Sequence, residues 1–198
     1  KVQGFPWQDL TDHARGVTAI AFSPNAKLLV SGSWDKTLKI WAMPNGEIKK
    51  TLVGHSEVIS TVAFSPNSKI IASGSADRTI KLWAAHSGRQ LFTLSGHSGE
   101  VTSVAFSGDG SVLASGSADR SIGLWSVARG KELVRLIGHT DEVVDVAFSE
   151  DGKMFLSAGA DGIVSLGGGS VMDTAKAAQL YASLGADQGG QAKAAHNQ

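Results

Sequence analysis

Four short stretches alternate apolar with small or polar residues: Val17–Phe22 (VTAIAF), Ile59–Phe64 (ISTVAF), Val101–Phe106 (VTSVAF) and Val143–Phe148 (VVDVAF). A period of two is the mark of a β-strand that buries one face. Each stretch is closed by a turn, SPNAK, SPNSK, SGDGS or SEDGK, whose Pro, Asn, Asp and Gly supply the backbone angles a turn needs. The pattern predicts a second strand at Lys27–Ser33, Lys69–Ser75, Ser111–Ser117 and Lys153–Ser157, then a tight turn bearing an aspartate. A third strand ends in Trp41, Trp83 or Trp125, and a fourth is expected at Glu47–Leu52, Arg89–Leu94 and Lys131–Leu136. Evenly spaced short strands with no helix between them predict antiparallel four-stranded units.

The units share one stride. Asp35, Asp77, Asp119 and Asp161 are 42 residues apart, as are His13, His55, His97 and His139, and Phe22, Phe64, Phe106 and Phe148. Markers that stay in phase over four copies define a repeat architecture. Leu10 stands three residues before His13, as Leu52, Leu94 and Leu136 stand before their histidines. Phe5–Leu10 therefore reads as an edge strand within an N-terminal arm, 1–12, with Pro6 keeping it off any sheet interior.

Composition narrows the function. Eighteen Lys and Arg balance eighteen Asp and Glu, for a formal net charge of +0, so no field exists to collect nucleic acid or an acidic membrane. There is no cysteine, which removes disulfides, thiol catalysis and cysteine metal sites and fits a cytoplasmic setting. No apolar run of about eighteen residues could span a bilayer.

Gly54-His55, Gly96-His97 and Gly138-His139, each followed by Asp and Trp at fixed offsets, resemble the WD-repeat family of β-propellers. The likeness covers about residues 10–166 and implies an all-β fold: a partial propeller of about four blades, three complete and the fourth truncated, spanning 13–166. The chain departs from the family pattern at Asp12, where the first glycine should stand, and in having Ala or Ser after each tryptophan. The resemblance also implies a hydrogen-bonded tetrad in each blade. The first is His13, Ser31, Asp35 and Trp41; the second is His55, Ser73 (or Ser75, of the same strand parity), Asp77 and Trp83. The third is His97, Ser115, Asp119 and Trp125, while the fourth keeps His139, Ser157 and Asp161 and has Gly167 where tryptophan is due. A buried indole N–H or imidazole without a partner costs roughly 1–3 kcal/mol, so these chains read as scaffold. A Ser–His–Asp hydrolase is set aside, because three equivalent copies are tied to indoles and no nucleophile elbow is present. The histidines sit on separate blades, which sets zinc aside too.

From Gly167 the sequence changes character. GGGSVMDTAKAA (167–178) resembles the glycine loop and following helix of iron-containing (group III) alcohol dehydrogenases. The likeness covers about twenty residues and implies a vestigial cofactor loop at Gly167, Gly168, Gly169 and Ser170, followed by a short C-terminal α-helix over 171–184. Residues 185–198 have no periodic apolar face and are expected to be disordered. Asp161–Leu166 suits either family, so the chain is expected to be a chimera or a piece of a longer bacterial regulatory or signalling protein. The alternative reading, a remnant of an NAD-dependent dehydrogenase, is expected to be inactive, since the family's other cofactor and metal parts are missing. No cofactor and no metal is expected.

Near-standard blades leave no place for a catalytic constellation, so the expected function is a non-catalytic protein-interaction scaffold rather than an enzyme. The loops before each first strand and the aspartate turns share one face, carrying Arg15, Trp34, Lys36, Glu57, Arg78, Glu100, Arg120 and Asp141. Trp34 stands where other repeats have Ala76, Ala118 and Ala160, which makes it a candidate anchor for a protein or peptide, the alternative being that it covers its neighbour's loop. Mixed charge around it disfavours nucleic acid. Three assemblies are open: an arc, a self-closed ring of four with Phe5–Leu10 completing the last blade, or a homodimer completing an eight-blade ring.

Overall fold

The computed structural model describes residues 9–149 and 154–167. The first sheet contains β1 (Val17–Phe22), β2 (Leu28–Ser33), β3 (Thr37–Ala42) and β4 (Glu47–Val53), hydrogen-bonded in sequence order. The second contains β5 (Ile59–Phe64), β6 (Ile70–Ser75), β7 (Thr79–Ala84) and β8 (Gln90–Ser95). The third contains β9 (Val101–Phe106), β10 (Val112–Ser117), β11 (Ser121–Ser126) and β12 (Lys131–Ile137). β13 (Val143–Phe148), β14 (Met154–Gly159) and β15 (Gly162–Gly167) make a three-stranded fourth sheet. All pairs are antiparallel, so the described part is all-β, built of sheet blades with no helix.

Several expected boundaries move. The second strands start one residue later than the pattern suggests, because residues such as Lys27 and Lys69 stay in the turn: their N–H groups donate to Asn25 and Asn67 Oδ1. β14 runs to Gly159 rather than Ser157, since Gly159 still pairs with Gly162. Of the expected strand 5–10, Asp9 and Leu10 are in no strand, and the remainder lies outside the described residues. The expected helix 171–184, the tail 185–198 and glycine-loop residues 168–170 also lie outside them.

The blades stack through one repeated contact. First strands meet first strands, β1 on β5, β5 on β9 and β9 on β13, and each second strand also packs on the next first strand. The core forms between blades: Val30, Leu38 and Ile40 of the first pack on Ile59, Val62 and Ile71 of the second. Equivalent clusters join the second blade to the third and the third to the fourth. Gly32, Gly74 and Gly116 permit this approach. A Cβ on them would lie 2.4, 2.6 and 2.6 Å from side-chain atoms of Ile59, Val101 and Val143. Among the described residues the series ends on two exposed faces, so the self-closed ring of four is not the arrangement found: Ile20 of β1 is 64% exposed, where Val62 is 9%.

Candidate functional site

The candidate site has a buried support and an exposed surface above it. In the second blade Trp83 Nε1–H donates to Ser73 Oγ (2.9 Å), Ser73 Oγ–H donates to His55 Nε2 (2.8 Å), and His55 Nδ1–H donates to Asp77 Oδ2 (2.7 Å). An indole can only donate and a carboxylate can only accept, which assigns the serine proton and the imidazole tautomer between them. Ser73, not Ser75, is the link. Ser75 Oγ instead accepts the Asp77 N–H and donates to Glu57 O.

The first blade repeats the chain with Trp41, Ser31, His13 and Asp35 at 2.8, 2.7 and 2.8 Å. The third repeats it with Trp125, Ser115, His97 and Asp119 at 2.8, 2.8 and 3.0 Å. In the fourth, His139 joins Ser157 (2.8 Å) and Asp161 (2.6 Å). In the first three blades the aspartate also locks its own turn. Asp77 Oδ1 accepts from the Thr79 N–H and hydroxyl, and Oδ2 from the Ser56 N–H.

Burial pushes the Asp77 carboxyl up, but hydrogen bonds from Thr79, His55 and the Ser56 backbone outweigh it and hold the group below the ordinary carboxylate range. Asp35 and Asp119 shift the same way for the same reasons, and Asp161 is lowered to about 2. Burial pushes the His55 and His97 imidazoles below their ordinary value despite their carboxylate partners. Neutral imidazoles locked between a serine that accepts from an indole and a turn carboxylate are built to hold strands together. The Ser73 hydroxyl is wholly buried. No substrate could reach it.

One feature escaped the sequence reading. Buried Lys39 and Lys81 face Thr51 and Thr93 on the neighbouring strand and bond to them at 3.2 and 2.9 Å. In the third blade Gly123 and Arg135 occupy these two positions, so the cation has moved to the other strand. Arg135 lies over the Trp125 ring at 5.9 Å, donates to Ser121 Oγ (2.9 Å) and pairs with Glu132 (2.7 Å). Asp12, already out of pattern in the sequence, gains a partner in the structure. Gly54 is glycine because a Cβ there would lie 2.9 Å from the Trp83 ring, whereas Asp12 reaches Lys39 Nζ at 2.5 Å. Comparing cross-strand positions between repeats would have flagged the cation exchange.

The eight surface residues, Arg15, Trp34, Lys36, Glu57, Arg78, Glu100, Arg120 and Asp141, are all exposed. Repeated backbone clamps put their loops together: Trp34 N–H donates to Gly16 O, Ala76 to Val58 O, Ala118 to Glu100 O and Ala160 to Glu142 O. Trp34 is 56% exposed. Lys36 Nζ donates to Ser56 O (2.7 Å) and meets Glu57 (3.2 Å), clasping the first two blades. Lys36, Arg78 and Arg120 sit at φ 69°, 69° and 71°, a left-handed backbone that costs a side-chain-bearing residue about 1–2 kcal/mol. The fourth repeat places Gly162 there. Between the third and fourth blades, Arg120, Arg135, Ile137 and Thr140 line a groove on the same face. Among the described residues no cluster of three or more His, Cys, Asp or Glu could hold a metal ion, and no helix is long and apolar enough to cross a membrane.

The family model described as WD domain, G-beta repeat matches residues 4–42, 46–84, 88–126 and 130–166. The last three matched segments each straddle two blades: 46–84, for example, holds β4 of the first and β5–β7 of the second. Among curated proteins the chain is similar to the periodic tryptophan protein 2 homolog of Neurospora crassa, 53% identical over 36 residues, 18% of this chain and 4% of that protein. It is similar to the nuclear distribution protein nudF of Emericella nidulans, 51% identical over 45 residues, 23% of this chain and 10% of that protein. The WD40 repeat-containing protein HOS15 of Arabidopsis thaliana is 47% identical over 45 residues, 23% of this chain and 7% of that protein. The chain thus spans a tenth or less of the length of these relatives.

Proposed function

We propose, from the premise that this chain belongs to the WD domain, G-beta repeat family, that it is a non-catalytic docking scaffold whose aspartate-turn face receives a protein or peptide. The observation that carries the reading is Trp34: a large indole, more than half in solvent, in a slot that three other repeats fill with alanine. Trp and Arg dominate interface hot spots because they bring large contact area with a polar handle. Arg78 and Arg120 support the same reading, since charged side chains are kept where glycine would relax the backbone, and such strain gathers at functional positions. The near-zero net charge favours protein over nucleic acid as partner.

A peptide library displayed against the full chain tests this. Selected peptides should contain an apolar or aromatic residue near acidic ones, and Trp34→Ala should weaken them by about thirtyfold or more, the loss of a hot spot. The variant should melt with the parent chain. Equal binding by Trp34→Ala, or a large loss of stability with binding intact, would reject the assignment.

A further inference from the structure

Lys36 clasps the first two blades on the turn face, reaching the Ser56 carbonyl (2.7 Å) and Glu57 (3.2 Å) of the next loop. Two strides on, Arg120, Thr140 and Asp141 hold the same three positions. No such clasp forms there: the Arg120 guanidinium has no hydrogen-bond or ion-pair partner among the described residues. A groove of about 520 Å³ stands open instead, with Arg120, Arg135, Asp119, Gly96, Ile137 and Thr140 in its lining.

The charge of this groove is not balanced from within. Asp119 is engaged by His97, by the Ser98 N–H and by the Ser121 N–H, and Arg135 Nε–H donates to Glu132 (2.7 Å). Arg120 is left without a counter-charge. Arg135 also keeps an unused donor: its Nη2 is buried with no hydrogen-bond partner, and a Cβ on Gly96 would lie 2.6 Å from it. A buried donor left unmet is costly, so an acceptor brought to it is held well. The exchange of lysine for Gly123 is what brings this cation to the groove. The Arg135 side chain is 24% exposed, whereas that of Lys39 is 8% exposed. Ile137, 70% exposed, adds an apolar wall.

We infer that the groove receives an acidic residue of a peptide segment, its carboxylate held by Arg120 and Arg135 and an apolar neighbour laid on Ile137. Guanidinium forks match the planar carboxylate and bind it in two-point fashion. Asp119 in the lining disfavours a phosphate ester, which would bring close to two negative charges beside it. The inference rests on the docking reading above and supplies the chemistry of the partner. Its residues belong to the third blade and the loop into the fourth, whereas Trp34 belongs to the first.

Peptides selected by the full chain from a displayed library supply the probes. They should carry Asp or Glu beside an apolar residue, and replacing the acid by its amide should weaken binding about tenfold or more. Arg120→Glu should weaken them as much, and exchanging the peptide's acid for Lys should restore binding to that variant alone. An unfolded variant could not give this restoration. Ile137→Asp, at an exposed position, should weaken binding with the melting temperature unchanged. Selected peptides without an acid, indifference to Arg120→Glu, no restoration by the Lys peptide, or tighter binding of the matching phosphoserine peptide would each overturn the inference. The two readings separate on the same peptides. Loss with Trp34→Ala but not with the groove variants overturns the groove and keeps the docking face; the reverse pattern supports the groove and rejects the Trp34 anchor.

Discussion

Gly123 and Arg135 face each other across β11 and β12, where the first two blades pair Lys39 with Thr51 and Lys81 with Thr93. One cation is kept beside the tetrad in each of these three blades, but in the third it comes from the opposite strand. The exchange has a steric cause as well as an electrostatic one. A Cβ on Gly123 would lie 2.7 Å from Trp125 Nε1, because the indole has settled into the space that lysine fills elsewhere. Gly123→Lys should therefore cost about 1–3 kcal/mol, from overpacking and from placing two cations together. Adding Arg135→Thr should recover most of that loss, a coupling that chemical denaturation of the two single variants and the double variant would measure.

Ser73 is a single hydroxyl serving two buried partners, Trp83 and His55. Ser73→Ala leaves an indole N–H and an imidazole nitrogen unpaired, at a combined cost of about 2–4 kcal/mol. Ser75→Ala, one pleat along, should cost less than half of that, because its hydroxyl serves only the turn backbone. Urea unfolding of the two variants side by side checks the order.

Stability should fall on acidification in two stages. The folded pKa values of His55 and His97 lie below the ordinary 6.5, so the unfolded chain binds protons first. Their contribution is full above about pH 6.5 and declines below it. Asp35, Asp77 and Asp119 are held below 3.8, so theirs is present above that value and is lost as pH falls toward the folded pKa values. Melting temperatures measured from pH 8 to pH 3 should drop first below 6.5 and again below 4. A flat profile between pH 7 and 5 would contradict the buried neutral histidines.

Arg120 carries its side chain on a left-handed backbone. Arg120→Gly should stabilise the fold by about 0.5–1 kcal/mol, the relieved strain less the added freedom of the unfolded chain. Calorimetry on the variant measures the gain. The same change should weaken peptides selected on the turn face.

Gly74→Ala tests the spacing between blades. The new Cβ would lie 2.6 Å from Val101 Cγ1, a stiff β-branched neighbour, and should lower stability by about 1–3 kcal/mol. Val101→Ala in the same chain should remove that contact, leaving Thr61 Cγ2 at 2.7 Å, and recover part of the loss, as thermal melting of the pair would show.

The sequence by itself determined the sheets. Strand alternation is a local property, and a stride of 42 repeated over four copies placed the strands, their turns and the all-β repeat class to within a residue or two at most ends. The residue types of the buried chain were legible for the same reason, since each copy obeys the same local rules. Tertiary structure decided everything that depends on distance across a sheet or on who the neighbour is. Ser73 and Ser75 share a strand face, and only the reach of the Trp83 indole separates them. Arg135 and Gly123 are twelve positions apart in sequence and gain meaning only when paired. Ile20 and Val62 carry the same pattern, yet one is bare and the other buried, because burial belongs to the blade stacked against a strand and not to the strand itself.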